Sequence, residues 1–125
     1  MRSGDTVCQA RAAGAAMVLL ARIVDAAGRP VRPADIRQVD CIVRELGSCA
    51  PDVHGFVVER CNVILPTLMR DSSWKLDEVG YNFRHDVTRI AEFVASRADG
   101  RIEVSYVLSL ANGGREMVSF YLKFG

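Results

Sequence analysis

The C-terminal stretch Arg101–Gly125 reads RIEVSYVLSL, then ANGG, then REMVSFYLKFG, and its reading decides the fold. Ile102, Val104, Tyr106, Leu108 and Leu110 alternate with Arg101, Glu103, Ser105, Val107 and Ser109. After the Gly-rich break, Val118, Phe120, Leu122 and Phe124 alternate with Met117, Ser119, Tyr121 and Lys123. A period of two on both sides of a turn predicts a β-hairpin. A two-residue loop at Asn112-Gly113 would set Tyr106 against Ser119 and mix the faces. A three-residue loop at Asn112-Gly113-Gly114, with one glycine at positive φ, matches them: Ile102 with Phe124, Val104 with Leu122, Tyr106 with Phe120, and Glu103 across from Lys123. Because a one-residue slip moves every side chain to the other face, matched faces favour the three-residue loop. One face of the hairpin is then apolar and must be covered by the rest of the chain.

The 125 residues fit one domain, taken as 1–125 with residues 1–15 as a flexible or assembly arm. Half the residues are hydrophobic, enough for a core without metals or disulfides. Sixteen basic and 15 acidic residues give a formal charge of +1. No basic excess exists to neutralise phosphates, so nucleic acid is not an expected partner. Ala12–Ala21 is apolar, but Asp5 lies in the region that a signal peptide keeps basic, and no small-x-small cleavage site follows. The run is also shorter than the ~20 residues that span a bilayer, and no membrane partner is expected.

Upstream, Ala16–Val24 reads as a strand ended by the turn chemistry of Asp25-Ala-Ala-Gly28-Arg-Pro30. Pro33-Ala-Asp35 starts a short turn. Ile36–Leu46 satisfies two periods at once: Ile36, Val39, Val43 and Leu46 are spaced as on a helix, whereas Val39, Cys41 and Val43 alternate as on a strand. Gly47–Gly55 reads as a loop. Phe56–Val58 and Val63–Leu65 are short β-prone runs, with Pro66 marking an edge. Tyr81–Val87 alternates, and Val87, Ile90, Ala91 and Val94 predict a short helix around Thr88–Ser96. Many short strands separated by turns imply a sandwich or barrel.

Candidate chemistry is sparse. Arg84-His85-Asp86 lies on a predicted strand, where neighbours point to opposite faces, so His85 and Asp86 cannot orient one another, and His85 reads as a surface histidine. His54 falls in the expected loop, and two histidines without placed carboxylates make no metal site. Cys8, Cys41, Cys49 and Cys61 show no CxxC pair or zinc spacing. Three disulfide connectivities are open to them, and free thiols acting as small buried hydrophobes are the expectation. A nucleophilic Cys61 with His54 or His85 as base has no support in the spacing. Trp74, Tyr81 and Phe83 read as core, since nine aromatics must supply much of the buried area.

The block Trp74-Lys-Leu-Asp77-Glu-Val-Gly80-Tyr81-Asn82-Phe83-Arg84-His85, with the upstream Asp25-x-x-Gly28-x-Pro30-Val31, resembles small immunoglobulin-like modules of phage and prophage tail and baseplate proteins. The likeness runs from Met17 to Gly125. It implies an all-β, immunoglobulin-like β-sandwich with one short helical excursion, and Ile36–Leu46 as a strand. It further implies a virion structural protein of tail, neck or head-accessory type, assembled in the host cytoplasm with copies of itself and other virion proteins, without enzymatic activity or cofactor. Within the block, Trp74 would close one end of the sandwich, Gly80 would allow a tight approach, and Asp77 and Asn82 would cap the preceding turn. The alternative is a carbohydrate- or ligand-binding β-module, which needs exposed aromatics.

Overall fold

A computed structural model describes residues 7–13, 16–46, 53–89 and 101–123. Among these residues, eight strands form two antiparallel sheets. In chain order they are β1 (Val7–Ala13), β2 (Ala16–Arg22), β3 (Ile36–Glu45), β4 (Val53–Val58), β5 (Ile64–Met69), β6 (Tyr81–Asp86), β7 (Arg101–Leu110) and β8 (Arg115–Lys123). The first sheet has the order β1-β2-β6-β5 and the second β4-β3-β7-β8. That is the immunoglobulin arrangement, an A-B-E-D sheet facing a C′-C-F-G sheet. A 3-10 turn (Pro33–Asp35) leads into β3, and a single helical turn, α1 (Arg60–Val63), joins β4 to β5.

The apolar faces meet between the sheets. Leu19, Ala21 and Ile23, with Phe83, close one side, and Val39, Cys41, Val43, Ile102, Val104, Tyr106, Leu108, Val118, Phe120 and Leu122 close the other. Phe83 sits at the centre, edge-on to Tyr106 with centroids 4.7 Å apart and 6.2 Å from Phe120. Such pairs add about 0.5–1.5 kcal/mol each beyond the area they bury.

The hairpin has the expected faces and loop length, but the loop lies one residue earlier. It consists of Ala111-Asn112-Gly113, closed by Leu110 N–H donating to Gly114 O at 2.8 Å, and Gly113 is the residue at positive φ (89°). The register therefore shifts by two: Ile102 pairs with Leu122, Val104 with Phe120, Tyr106 with Val118 and Glu103 with Tyr121. A shift of two preserves faces, and that is why alternation alone does not distinguish the two placements. Glu103 finds its cation on the neighbouring strand instead, 2.5 Å from Arg44.

Ile36–Glu45 is a strand, and its helix-like spacing has a structural cause. A bulge at Arg37 carries the register from Ile36↔Leu110 to Gln38↔Ser109. An extra residue there lets Ile36 and Val39 face inward together, three apart, before alternation resumes.

Three segments differ from expectation. Val7–Ala13, assigned above to an arm, is a strand hydrogen-bonded along β2. Val53–Gly55, read as loop from its glycine and nearby proline, belongs to β4, where pairing with β3 supplies the order that composition does not. Val63, read as β-prone, ends α1, too short a turn to leave a periodic signal. Thr88 and Arg89 are helical, and the remainder of the expected helix lies outside the described residues, as does Cys49.

Candidate functional site

Two polar contacts at one end of the first sheet tie the Trp74–His85 block to distant residues, one to the Asp25–Val31 turn and one to Arg22 at the end of β2. The turn builds itself: Asp25 Oδ1 accepts from Ala27 N–H and Arg29 N–H at 2.9 and 3.0 Å, Gly28 takes φ 82°, and Val31 N–H donates to Ile23 O at 3.0 Å. Asn82 then reads both sides of this hairpin. Its Oδ1 accepts from Ile23 N–H at 2.8 Å, and its Nδ2 donates to Ile23 O and Val31 O, both at 2.9 Å. Asn82 is 1% exposed, so all three bonds form away from water, where an unmatched group costs about 1–3 kcal/mol. It does not cap the turn before β6, as its position suggested; it stitches β6 to the β2–β3 connection.

The second contact is centred on Asp77. Its Oδ1 accepts from Trp74 Nε1–H at 2.8 Å, Val79 N–H at 3.0 Å and Gly80 N–H at 3.3 Å. Arg22 Nη1 reaches both carboxylate oxygens at 2.9 and 2.7 Å and also donates to Gly80 O at 3.2 Å. Asp77 caps its turn as expected and in addition neutralises Arg22, a buried guanidinium. The Trp74 indole N–H, followed by Arg22 and the two backbone amides, holds the Asp77 carboxyl well below the ordinary range.

Trp74, 6% exposed, lies 5.7 Å from the Tyr81 ring and packs with Leu20. Leu20 points away from Leu19 and Ala21, so this small cluster caps the outer side of the first sheet. Alternation breaks at Asn82: Phe83 enters the main core while Tyr81 joins Trp74. The Tyr81 hydroxyl donates to Asp71 Oδ2 at 2.7 Å, and Asp71 also accepts from Ser73 N–H at 2.9 Å. Gly80, at φ 108°, lies against the Met69 carbonyl. Arg22 carried no sequence signal, since its partners are fixed only by the fold, and Asp71 was passed over although its bond to Ser73 is local.

The donors and acceptors named in this cluster are engaged within it, with the Asp77 and Asp71 carboxylates at its exposed rim. Trp74, Tyr81 and Phe83 are all buried, so they form no ligand platform. Asp77→Asn tests the cluster: it keeps the size but leaves Arg22 without a counter-charge. With the Asp77 carboxylate 32% exposed, solvent screens the pair, and the expected loss is about 1 kcal/mol in urea unfolding at pH 7. Because the folded carboxyl titrates below its unfolded value, its contribution is complete above the unfolded pKa and disappears as pH falls through the acid range. Wild type and variant should therefore converge at low pH; parallel curves down to pH 2 would show that Asp77 is not the group responsible.

The remaining reactive residues are placed apart from this cluster. His85 does not lie on the surface. It is half-buried, and its Nδ1 is 2.5 Å from the Tyr106 hydroxyl, while desolvation lowers its pKa despite the nearby Asp86. Tyr106 also meets the Cys41 thiol, which burial pushes up to about 11. This inward Cys41–Tyr106–His85 group satisfies a buried hydroxyl and keeps the thiol protonated, the opposite of nucleophile activation. Of the two cysteines whose side chains are described, Cys41 fits the expectation of a buried thiol and Cys61, free but exposed, does not. Among the described residues, no group of three or more His, Cys, Asp and Glu side chains could hold a metal, and no helix is long and apolar enough to cross a membrane.

The second sheet presents a different surface. Its outer face carries Ile42, Val107, Met117 and Tyr121, and its edge strand β4 adds Val53, Phe56 and Val57, all but Val107 substantially exposed. An open depression of about 440 Å³ runs between β4 and β7 across Ile42 and Gly55. No protein-family model, curated protein or solved structure matches the chain.

Proposed function

We propose that this protein is a structural component of a phage or prophage particle, of tail, neck or head-accessory type, that works by contact with copies of itself and neighbouring proteins. The observation that carries the assembly role is the exposed apolar β4 edge, continuous with the outer face of its sheet. Monomeric sandwiches protect such edges, and assemblies use them as joints. The phage setting rests on the likeness of the Asp25–Val31 and Trp74–His85 segments to tail and baseplate modules. A formal charge of +1 favours association over mutual repulsion.

Peptide mass spectrometry on density-gradient-purified particles tests the reading. Many copies of the chain per particle are expected. Its absence from clean particles, with the protein present in the lysate, removes the virion role.

A further inference from the structure

A sandwich of two four-stranded sheets has four edges, and here they are not equivalent. On one side β1 and β8 lie against each other across the two sheets and close that flank. On the other side β5 contains Pro66, which offers no N–H to an incoming strand, and it pairs with β6 only at Ile64 and Met69, with an irregularity between. Among the described residues, the fourth edge, β4, has none of these protections. Its six residues, VHGFVV, include no Asp, Glu, Lys, Arg or Pro. Among the described residues it pairs only with β3. Val57 is 63% and Phe56 40% exposed.

We infer that the β4 edge is a two-fold joint at which β4 of a second copy adds antiparallel, making one continuous eight-stranded sheet. The inference rests on the assembly reading for its use, but its geometry concerns this chain alone. A two-fold axis normal to the sheet keeps the outer faces on one side, so outward residues must oppose outward residues. The outward residues of β4 are Val53, Gly55 and Val57, set against Arg44, Ile42 and Asp40 of β3. A register with Gly55 at the axis therefore brings Val53 opposite Val57 of the other copy, twice, while Phe56 lies beside His54 on the inner face. β-branched and aromatic pairs of this kind stabilise adjacent strands.

Charge is compatible with a second copy as the occupant. No charged side chain lies on either β4. Arg44 is already neutralised by Glu103, and the axis carries the two Asp40 side chains to opposite ends of the joint. A foreign strand has no such built-in match. One strand pair buries less than the ~800 Å² per partner of a standard interface, so the joint is weak in free solution and gains strength where copies are held close together.

Sedimentation equilibrium of the full chain, in reductant so that Cys61 cannot link copies, should show a reversible dimer of the 13.7 kDa protomer at high micromolar concentration. Amide exchange of β4 should slow as concentration rises. Val57→Lys, at an exposed position, should fold normally yet weaken the dimer at least about tenfold, because each joint contains the substitution twice. Thr67→Lys on β5 should leave the dimer intact. A monomer at every concentration would overturn the joint, as would a dimer sensitive to Thr67→Lys but not to Val57→Lys. Either result leaves particle incorporation to be decided by the mass spectrometry, so the two claims fail separately.

Discussion

Asn82→Asp is expected to destabilise the protein by about 3–5 kcal/mol at pH 7, a large share of the stability of a domain this size. The substitution changes almost no volume. It replaces the Nδ2 group, which donates to Ile23 O and Val31 O, with an oxygen that cannot donate and faces two carbonyls. Only the bond from Ile23 N–H survives. The Arg22 guanidinium is already committed to Asp77 and the Gly80 carbonyl. Burial without a counter-charge raises the pKa of the new carboxyl. The sign of the pH effect follows: the folded variant binds a proton more readily than the unfolded chain, so its deficit relative to wild type is full above the raised pKa. The deficit shrinks as pH falls toward the unfolded value near 4. Urea unfolding of both proteins at pH 7 and pH 5 measures this directly. Asn82→Leu, which loses all three bonds but cannot ionise, should show a deficit that does not change between the two pH values. A pH-independent loss for Asn82→Asp, or one below about 1 kcal/mol, would mean that Asn82 is not enclosed.

The sequence carried the architecture wherever alternation and burial agree. In β7 and β8 the inward set is apolar except for Glu116 near the start of β8, so the faces could be read. The register could not, because Gly113 and Gly114 are adjacent and either can take a positive φ. β3 was ambiguous because the bulge at Arg37 places Ile36 and Val39 on one face, and a bulge mimics helical spacing over one turn. β4 was half-missed because Gly55 and the preceding proline suggest a loop, whereas order there comes from pairing with β3. The six residues singled out from the Trp74–Phe83 block do not form one site: Tyr81 packs on Trp74, Phe83 enters the main core, and the others make two contacts with separate partners. Trp74, Asp77 and Gly80 gather around Arg22, while Asn82 bridges Ile23 and Val31. A polar side chain at a buried strand position has no local signature; its meaning depends on a segment some fifty residues away (|i−j| 59 for Asn82 and Ile23). His85 misled for the same reason, since its partner Tyr106 stands on the opposite sheet.

Gly80→Ala should be the other severe change, and a second glycine supplies its control. Gly80 and Gly113 both take positive φ, 108° and 89°, where a Cβ costs about 1–2 kcal/mol from the backbone alone. Around Gly113 nothing lies within 4 Å of an added Cβ, so Gly113→Ala should cost only that backbone penalty, about 1–2 kcal/mol. At Gly80 the added carbon would stand 2.5 Å from Met69 O and 2.9 Å from Arg70 Cγ. The arginine can move. The Met69 carbonyl cannot move freely, because Met69 is paired with Tyr81 where β5 rejoins β6. Relief therefore requires the backbone of Val79–Tyr81 to retreat, which lengthens the bonds from Gly80 N–H to Asp77 and from Arg22 to Gly80 O. The cost combines backbone strain, overpacking and a loosened polar cluster, about 3 kcal/mol or more. Unfolding of the two alanine variants side by side separates these contributions. Equal losses would show that the approach of Gly80 to Met69 imposes no constraint. A loss at Gly80 larger by about 2 kcal/mol would identify a hydrogen atom at that position as the condition for β5 and β6 to converge and for Asp77 to reach Arg22.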